Sequence, residues 1–450
     1  MSIRMVLDGT QTRPPLTDRI VGLAAFATAI ALLRCAPFRI SLGAARAAKR
    51  FARRPADQAE AERALAARAW AAKFFPGRAA CLEGSLAAFL ADTAIEDAVA
   101  RAAAFVSRQH YTDHRALGSV PQVTAQFAIE RDLRRAGIQP GMRVLEIGTG
   151  TGYTGAVLAE LAGPDGHVVS VDVDPALIQR AAKLHAERRV WNLTLVTADG
   201  HRGAREHAPF DAILAWATPT HIPQAWIEQA RPGAVISTPI YIAPVARTVG
   251  HIRVTVAEEG HLAHPRLGGA VYVDMGPEIN RSLGVPIFYI DARRDAEDGE
   301  VAWISTAWRV HSDGHDPTAT LDILQSSAHR EVVPLGKTEE GRALAWRDFR
   351  SYCAGCDASR HRPCSLTAYG TVGRTWISGI GFSTGHNAAV LTSEGYFIAD
   401  TPDSPPLMKL RLLFRDWEQR GRPGIDALAP VLEPTSEGWQ VRATLAHAAG

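Results

Sequence analysis

The sequence has few cysteines, almost no net charge and no long hydrophobic run. Its 450 residues include five cysteines, an odd number without a regular framework, which argues against a disulfide-stapled secreted protein and favours a reducing cytoplasm. Basic and acidic side chains number 49 and 47, so the formal charge of +2 gives no reason to expect a nucleic-acid partner.

One apolar segment resembles a membrane helix in composition. It runs from Ile20 to Leu33 between two arginines, but it is shorter than the roughly 20 residues needed to cross a bilayer. Asp8 and Asp18 precede it, which is not typical of a signal peptide. We therefore expect a buried helix, no membrane partner and a cytoplasmic protein.

The composition and the hydrophobic pattern divide the chain into three parts, a number of domains that is typical of a chain of this length. Residues 1–100 are rich in alanine, arginine and leucine at helical spacing, and we expect a helical segment. Residues 101–245 alternate short β-branched runs with helical stretches, the pattern of a parallel sheet with crossover helices. Residues 246–450 predict a separate, mostly β domain of α+β class, in which Ile252, Val254 and Val256 alternate and glycines separate short strands.

The middle part allows individual elements to be predicted. Its clearest helix runs from Pro175 to Ala186, where Leu177, Ala181 and Leu184 share one face. The predicted strands are Arg143 to Ile147, His167 to Val171, Leu193 to Thr197, Ala212 to Trp216 and Ala234 to Thr238.

A glycine-rich loop follows the first of these strands. Gly148, Gly150 and Gly152 precede a helix that begins near Tyr153, so the backbone can pass close to a ligand. A dinucleotide site would place a third glycine where Tyr153 stands. The tighter spacing suits a cofactor without phosphates, and a purely structural turn is the remaining alternative.

Acidic residues at the ends of the strands favour S-adenosylmethionine as the cofactor. Asp172 ends the second strand, where a carboxylate can accept from both ribose hydroxyls. Glu146 precedes the glycines and is expected to face the cationic methionine end, while Asp199, followed by Gly200, is placed to accept from the adenine amino group. Thr149, between the first two glycines, completes the predicted cofactor-binding set.

Several motifs together resemble the protein-L-isoaspartate O-methyltransferases. They are Ser119-Val-Pro-Gln-Val-Thr-Ala125, Val144-Leu-Glu-Ile-Gly-Thr-Gly-Thr-Gly-Tyr153, Ala198-Asp-Gly200, Ala208-Pro-Phe-Asp-Ala-Ile213 and Arg231-Pro-Gly233. The resemblance implies a Rossmann-like class I methyltransferase fold and an enzyme that methylates carboxylates of proteins or peptides. It also places Ser119 at the active site, as the one catalytic residue predicted. The alternative is that Ser119 caps the helix containing Ala125, Ile129 and Leu133.

The long C-terminal part indicates more than a simple repair enzyme. Longer relatives with such an extension resemble the methyltransferases of ribosomal-peptide pathways, including lasso, graspetide and lanthipeptide pathways, which esterify an aspartate side chain and so lead to an aspartimide. We therefore expect a precursor peptide as substrate, selected by residues 246–450. Repair of isoaspartyl proteins is the second hypothesis, and a non-catalytic pathway scaffold is the third.

The N-terminal segment is similar to part of the leader peptidases of lasso-peptide pathways. The similar stretches are Ala59 to Leu65 and Phe75 to Leu86, in which Cys81 matches their nucleophilic cysteine. The histidine motif of that family is absent before the methyltransferase begins, which favours a truncated remnant. An ordinary buried helix cysteine in an alanine-rich segment is the alternative.

Two weaker patterns remain open. Cys353, Cys356, His361 and Cys364 could hold a structural zinc, although their spacing is tight and free thiols or a redox pair are alternatives. We therefore predict no metal site. His221 follows the fourth strand, where substrate-side loops gather in an open α/β sheet, and it either touches substrate or is an ordinary loop histidine.

Overall fold

The computed structural model describes residues 97–120, 123–279, 284–307, 316–333, 335, 346–356, 364–373 and 376–445. The chain forms two compact units, residues 1–107 and 108–450. The first contributes one described helix, α1 (Ala98–Phe105), which is capped by the Asp97 carboxylate accepting from the Val99 amide at 2.9 Å. The expected N-terminal helices, the apolar segment Ile20 to Leu33 and Cys81 lie outside the described residues. No helix in the described ranges is long and apolar enough to span a membrane.

The second unit begins with a short helix and a tight two-stranded hairpin, followed by the longer elements of an α/β sheet. Its elements up to residue 274 are α2 (Arg108–Thr112), β1 (Asp113–His114), β2 (Gly118–Ser119), α3 (Gln126–Ala136), β3 (Arg143–Ile147), α4 (Tyr153–Ala162), β4 (His167–Asp172), α5 (Pro175–Arg188), β5 (Leu193–Thr197), β6 (Phe210–Ala215), β7 (Ala217–Thr218), β8 (Ile222–Pro223), α6 (Gln224–Gln229), β9 (Ala230–Tyr241), β10 (Val249–Val256), β11 (Leu262–Gly269) and β12 (Val273–Asp274). The predicted strands and the helix beginning at Pro175 are confirmed, with ends that differ by a few residues.

Seven of these strands form one sheet in the order β11-β10-β9-β6-β3-β4-β5. Strands β3, β4, β5, β6 and β9 are parallel, and β10 and β11 continue the sheet antiparallel. From β3 the chain moves outward to β4 and β5 and then returns to β6 on the other side. The order therefore reverses between β3 and β6, and ligands of open α/β sheets bind at such a point, beyond the carboxyl ends of the strands. The Rossmann-like expectation is confirmed.

The first sheet extends past the boundary expected between residues 245 and 246. Strand β10 pairs along almost its whole length with β9, from Val249 opposite Tyr241 to Thr255 opposite Val235. The alternation of Ile252, Val254 and Val256 predicted a strand correctly, but it carried no information about which sheet the strand joins. Their side chains are buried in the core of the first sheet.

Most of the remaining strands build a second sheet, with two helices against one face and one helix against the other. The elements are β13 (Ala292–Asp295), β14 (Val301–Thr306), α7 (Pro317–Ser326), β15 (His329–Val332), α8 (Trp346–Gly355), β16 (Ser365–Val372), β17 (Ile377–Ser383), β18 (Ala388–Thr392), β19 (Tyr396–Ala399), α9 (Pro405–Gln419), β20 (Leu428–Thr435) and β21 (Gly438–Leu445). The antiparallel order is β13-β14-β16-β17-β18-β19-β15. Trp303 packs with helices α8 and α9 on one face, and its neighbours Ala302 and Ile304 pack with α7 on the other. A mostly β C-terminal region is confirmed.

The last hairpin, β20 and β21, forms a separate three-stranded sheet with β8 and packs against the core of the first sheet. Strand β21 pairs with β8, Trp439 opposite Ile222, and Leu428, Val441 and Ala443 are buried in the same core as the parallel strands. The C-terminal residues therefore complete the first sheet's hydrophobic core as well as forming their own domain.

A buried carboxylate joins α3 to the antiparallel end of the first sheet. Asp132 is 2% exposed and accepts from Arg131 at 2.8 Å, from Arg135 at 3.0 Å and from the Tyr272 hydroxyl at 2.6 Å. Burial alone would raise the pKa of this carboxyl, but the hydrogen bond from Arg131 and the neighbouring His251 outweigh it and hold the pKa below its ordinary value.

Asp132→Ala should destabilise the fold strongly. Removing one partner of a buried charge network leaves the others uncompensated, and the expected loss in free energy of unfolding is about 3–5 kcal/mol. Denaturation followed by circular dichroism measures it. The control is Asp295→Ala, which removes an exposed pair with Arg293 and should cost at most about 1 kcal/mol. Equal losses in the two variants would contradict a stabilising role for the Asp132 network.

Candidate active site

The glycine loop lies at the carboxyl edge of the sheet, at the reversal between β3 and β6. Gly148, Gly150 and Gly152 have φ values of 98°, 51° and 84°, a region that L side chains rarely adopt. A Cβ at Gly152 would also lie 3.1 Å from the Ala181 Cβ and 3.2 Å from the His185 Nε2. The three glycines therefore turn the chain tightly from β3 into α4 and leave backbone, not side chains, beside any ligand.

Asp172 lies beside this loop, at the end of the neighbouring strand β4. Its Oδ2 accepts from the Gly150 amide at 2.9 Å and its Oδ1 from the Asp174 amide at 3.0 Å. Burial is the main influence on this carboxyl and raises its pKa, which these amide donors partly oppose. The structure thus brings Asp172 to the glycine loop, as the sequence predicted, and fixes the direction of its carboxylate.

Glu146 does not face outward from the loop, which corrects the expectation from the sequence. It is completely buried: Oε2 accepts from the Ser170 hydroxyl at 2.6 Å and Oε1 from the Trp216 indole at 2.9 Å. The reason is alternation along β3, because residue 146 points beneath helix α4, where an added Cβ at Gly155 would meet Oε2 at 2.8 Å. Glu146 therefore supports the loop from below rather than presenting an oxygen to its outer side.

Thr149 belongs to the same buried group. Its hydroxyl lies 2.6 Å from that of Ser170, and the side chain is 1% exposed. Since Ser170 donates its one hydroxyl proton to Glu146, Thr149 donates to Ser170. The Thr149 side chain therefore faces the interior, and only its backbone lies in the loop.

Asp199 and Gly200 follow β5 at the same edge. Asp199 caps the short turn Gly200–Arg202, accepting at Oδ1 from the backbone amide of His201 at 3.0 Å and from its ring at 2.8 Å. Gly200 is buried, and a Cβ there would lie 2.5 Å from the Ile147 Cγ2. Glycine is required at this position because the turn packs directly on the end of β3.

Ser119 is exposed on the hairpin of β1 and β2, where Asp113 pairs with it. The hairpin is attached to the glycine loop by Arg180 of α5, whose guanidinium donates to the carbonyls of Tyr111 at 2.7 Å, Gly118 at 3.0 Å and Thr151 at 3.3 Å. The alternative that Ser119 caps α3 is excluded, since that helix begins at Gln126 with Ala125 at its N-cap position and no side-chain cap.

Arg180, Ser170 and Trp216 were not predicted from the sequence. Arg180 lies in a helix in which Lys183 is exposed and Arg188 is half-buried, so its spacing carried no signal. Trp216 follows directly on β6, the fourth of the parallel strands, and an indole at a strand end could have been recognised as a candidate donor.

His221 lines a cavity of about 390 Å³ at this edge. Burial lowers the pKa of its imidazole, which favours the neutral form. The walls come from both parts of the unit: His201, Thr220 and Gln224 from the methyltransferase part, and Phe288 and Glu437 from the C-terminal part. The sequence suggested His221 for this edge, and the contribution of Glu437 was not predicted.

The cysteines that the sequence offered as possible zinc ligands lie away from this edge. Cys353 and Cys364 are buried in the core of the C-terminal sheet, and burial raises the pKa of the Cys353 thiol well above its ordinary value. Among the described residues these sulfurs do not meet in a metal-binding group, and His361 lies outside the described ranges.

The Glu146 carboxyl should make stability depend on pH. Burial raises its pKa from 4.5 to about 7, despite hydrogen bonds from Ser170, Thr154 and Trp216. Because this folded-state pKa lies above the unfolded one, the stability associated with protonated Glu146 is complete below the unfolded value and is lost as pH rises towards 7. Glu146→Gln removes this loss, because glutamine does not ionise. The variant should therefore gain melting temperature relative to the unaltered protein as pH rises, by several degrees between about pH 5 and about pH 8. A difference independent of pH would disprove the assignment.

Comparisons with known proteins identify the family. Residues 91–277 match the profile described as "Protein-L-isoaspartate(D-aspartate) O-methyltransferase (PCMT)". Protein-L-isoaspartate O-methyltransferase of Methanothrix thermoacetophila is 40% identical over 27% of this chain and 56% of its own length. That of Methanothermobacter thermautotrophicus is 33% identical over 35% of this chain and 69% of its own length. The chain therefore spans little more than half of the first of these relatives and just over two thirds of the second.

A solved structure adds a more distant likeness. A putative protein-L-isoaspartate O-methyltransferase from Plasmodium falciparum, in complex with S-adenosyl-L-homocysteine, has 17% identity and a TM-score of 0.35, covering 40% of this chain and 91% of that one. The assignment rests on the sequence relatives and on the ordered motifs from Ser119 to Gly233. The chain belongs to the protein-L-isoaspartate O-methyltransferase family.

Proposed function

We propose that this protein is a carboxyl O-methyltransferase that uses S-adenosylmethionine. The observation that carries the proposal is the connection of two motifs by one side chain. Arg180 donates both to the glycine loop, at Thr151, and to the hairpin of Ser119, at Gly118. The predicted cofactor loop and the predicted acceptor-side serine are thus held together at the carboxyl edge of the sheet.

The residues at this edge fit a nucleoside cofactor. The positive-φ glycines leave backbone rather than side chains along the loop, and a Cβ at Gly150 would point into open space, with no protein atom within 4 Å. Asp172, held by the Gly150 amide through Oδ2, can accept from ribose hydroxyls, and Asp199 can accept from an adenine amino group. When bound, the sulfonium cofactor supplies a methyl group already activated for transfer. Glu146 and Thr149 would act beneath the loop, by fixing its shape.

The chain's own task is to hold and orient an acceptor carboxylate. Aspartate is already ionised at neutral pH, so no general base is needed. Ser119 is exposed and can donate one hydrogen bond to an acceptor oxygen. Positioning of this kind can contribute roughly 7 to 11 kcal/mol to lowering the barrier.

For the substrate, we propose an aspartyl side chain of a ribosomally synthesised peptide. Support comes from the part of the chain beyond the family match, which builds walls at the same edge. Strand β21 pairs with β8, and Glu437 and Phe288 line the cavity with His221. Such walls can select the residues around an aspartate. After transfer, attack of the next backbone nitrogen on the ester carbonyl releases methanol and leaves an aspartimide.

Repair of isoaspartyl proteins is the second candidate. The names of the relatives favour it, since each is called a protein-L-isoaspartate O-methyltransferase. A non-catalytic scaffold is the third candidate and would use the same fold without turnover.

Mass spectrometry separates the first two substrates. The full chain, incubated with S-adenosylmethionine and a candidate precursor peptide, should add one methyl group, and ring closure should leave a net loss of one water. An otherwise identical peptide with asparagine in place of the target aspartate is the matched control. Methylation of isoaspartyl test peptides, with the precursor unchanged, would favour repair instead.

Variants of the two proposed contacts separate an enzyme from a scaffold. Ser119→Ala removes one hydrogen bond to a charged group, about 1.5–3 kcal/mol, and should lower kcat/KM about 10- to 100-fold. Asp172→Ala should weaken cofactor binding, measured by titration calorimetry, by a similar factor for the same reason. Ser326→Ala, on the exposed face of α7, should change neither quantity. If the biological function survives both site variants, the protein acts as a scaffold.

A further inference from the structure

Two histidines and a glutamate meet beside the Ser119 hairpin. His110 lies in α2, His114 in β1 and Glu187 near the end of α5. The Nε2 of His114 is 3.2 Å from the Glu187 Oε2, and the Nε2 of His110 is 3.8 Å from the same oxygen. One potential ligand atom from each of the three residues lies within 4.8 Å of the other two. The proposed methyl transfer uses none of them.

This set has the chemistry of a transition-metal site. Imidazole nitrogens and a carboxylate oxygen bind Zn²⁺ at about 2.0–2.2 Å, and three protein ligands leave a position for water. The imidazoles are 15–16% exposed and the carboxylate 50% exposed, so an ion can enter from solvent. Two of the three ligands are imidazole nitrogens. Soft, borderline cations are therefore favoured over Mg²⁺ or Ca²⁺, which prefer oxygen ligands.

Two contacts near the candidate ligands are long for hydrogen bonds. The His110 Nε2 lies 3.3 Å from the Leu184 carbonyl, and the Ala116 amide donates to the His114 Nδ1 at 3.3 Å in an exposed turn. In that arrangement the His114 Nε2 carries the proton and donates to Glu187. Metal binding through Nε2 moves this proton to Nδ1 and gives up the amide contact, with no net change in protons.

The location of the site suggests what a metal would do. His114 pairs with Gly118 and Asp113 with Ser119, so one ligand is part of the hairpin that carries the predicted active-site serine. Glu187 and Arg180 are both in α5, and Arg180 already donates to the Gly118 carbonyl. The hairpin is already attached to this helix by the hydrogen bond from His114 to Glu187, and a metal bound by both residues would replace that bond with two stronger metal–ligand bonds.

We propose that His110, His114 and Glu187 bind one divalent transition-metal ion of the Zn²⁺ type, which fastens the Ser119 hairpin to helix α5. The metal site stands independently of the methyltransferase activity. Only the significance of Ser119 rests on the proposed function.

Binding is tested on the full chain with Zn²⁺ in competition with a chromogenic chelator, and with Co²⁺ by its visible absorption. One equivalent should bind. Changes in residues around metal ligands cost about 10- to 100-fold in affinity, so loss of a ligand in His114→Ala or Glu187→Gln should cost at least about 100-fold. His207→Ala and Glu206→Gln, in the turn Arg205–His207 between β5 and β6, are the matched controls. Unchanged affinity in the His114 and Glu187 variants, or no binding by the unaltered protein, would overturn the site.

Hydrogen exchange tests the attachment without an activity assay. Zn²⁺ should slow amide exchange in a peptide covering residues 108–120 of the unaltered protein and leave it unchanged in His114→Ala. Zinc binding without this protection would overturn the fastening role. Protection in a protein that methylates no carboxylate would instead leave the metal site in place and count against the proposed function.

Discussion

The hydrogen bonds of the Arg180 guanidinium determine how the parts of the site are placed. One side chain joins the carbonyls of Tyr111, Gly118 and Thr151, which come from the short helix α2, the hairpin and the glycine loop. Partial burial lowers the pKa of this arginine. The ordinary pKa of a guanidinium is so high that the side chain stays charged. A charged, planar donor on a rigid helix can therefore hold three separate segments at once. The single ammonium of a lysine could not do this in the same geometry.

A second network supports the glycine loop from below. The Thr149 hydroxyl donates to Ser170, and the Ser170 hydroxyl and the Trp216 indole both donate to the Glu146 carboxylate. The Trp216 ring also lies 6.2 Å from that of Tyr272, whose hydroxyl donates to Asp132 in α3. The buried carboxylates Glu146 and Asp132 are thus linked through two aromatic rings. A buried polar network has to be fully satisfied to be stable, so these residues constrain one another more than their separate contacts suggest.

The sequence predicted what depends on local pattern. The strands from Arg143 to Thr197 follow from apolar runs, and the positions of Asp172 and Asp199 follow from the rule that parallel strands end at the same edge. The orientation of Glu146 could not be predicted in this way, since it depends on which face of β3 the helix α4 covers. The same holds for β10, because alternation identifies a strand but does not identify its partner. Arg180 and the group of His110, His114 and Glu187 depend on contacts between residues about 70 positions apart in the chain.

In the proposed function, the site residues of the second unit would support transfer, and the cavity walls would select the substrate. The proposed transfer to an ionised carboxylate needs little chemistry from the protein, so in that function Ser119 and Asp172 alone would distinguish poorly between one carboxylate and another. Discrimination has to come from contacts with the surrounding substrate. The walls contributed by Phe288 and Glu437 face the same cavity as His221, and the hairpin that carries Glu437 is fixed to the methyltransferase part by strand pairing and by a shared core. In the proposed function such a wall would select the substrate by shape and charge before transfer, and it lies in the part of the chain that the family profile does not match.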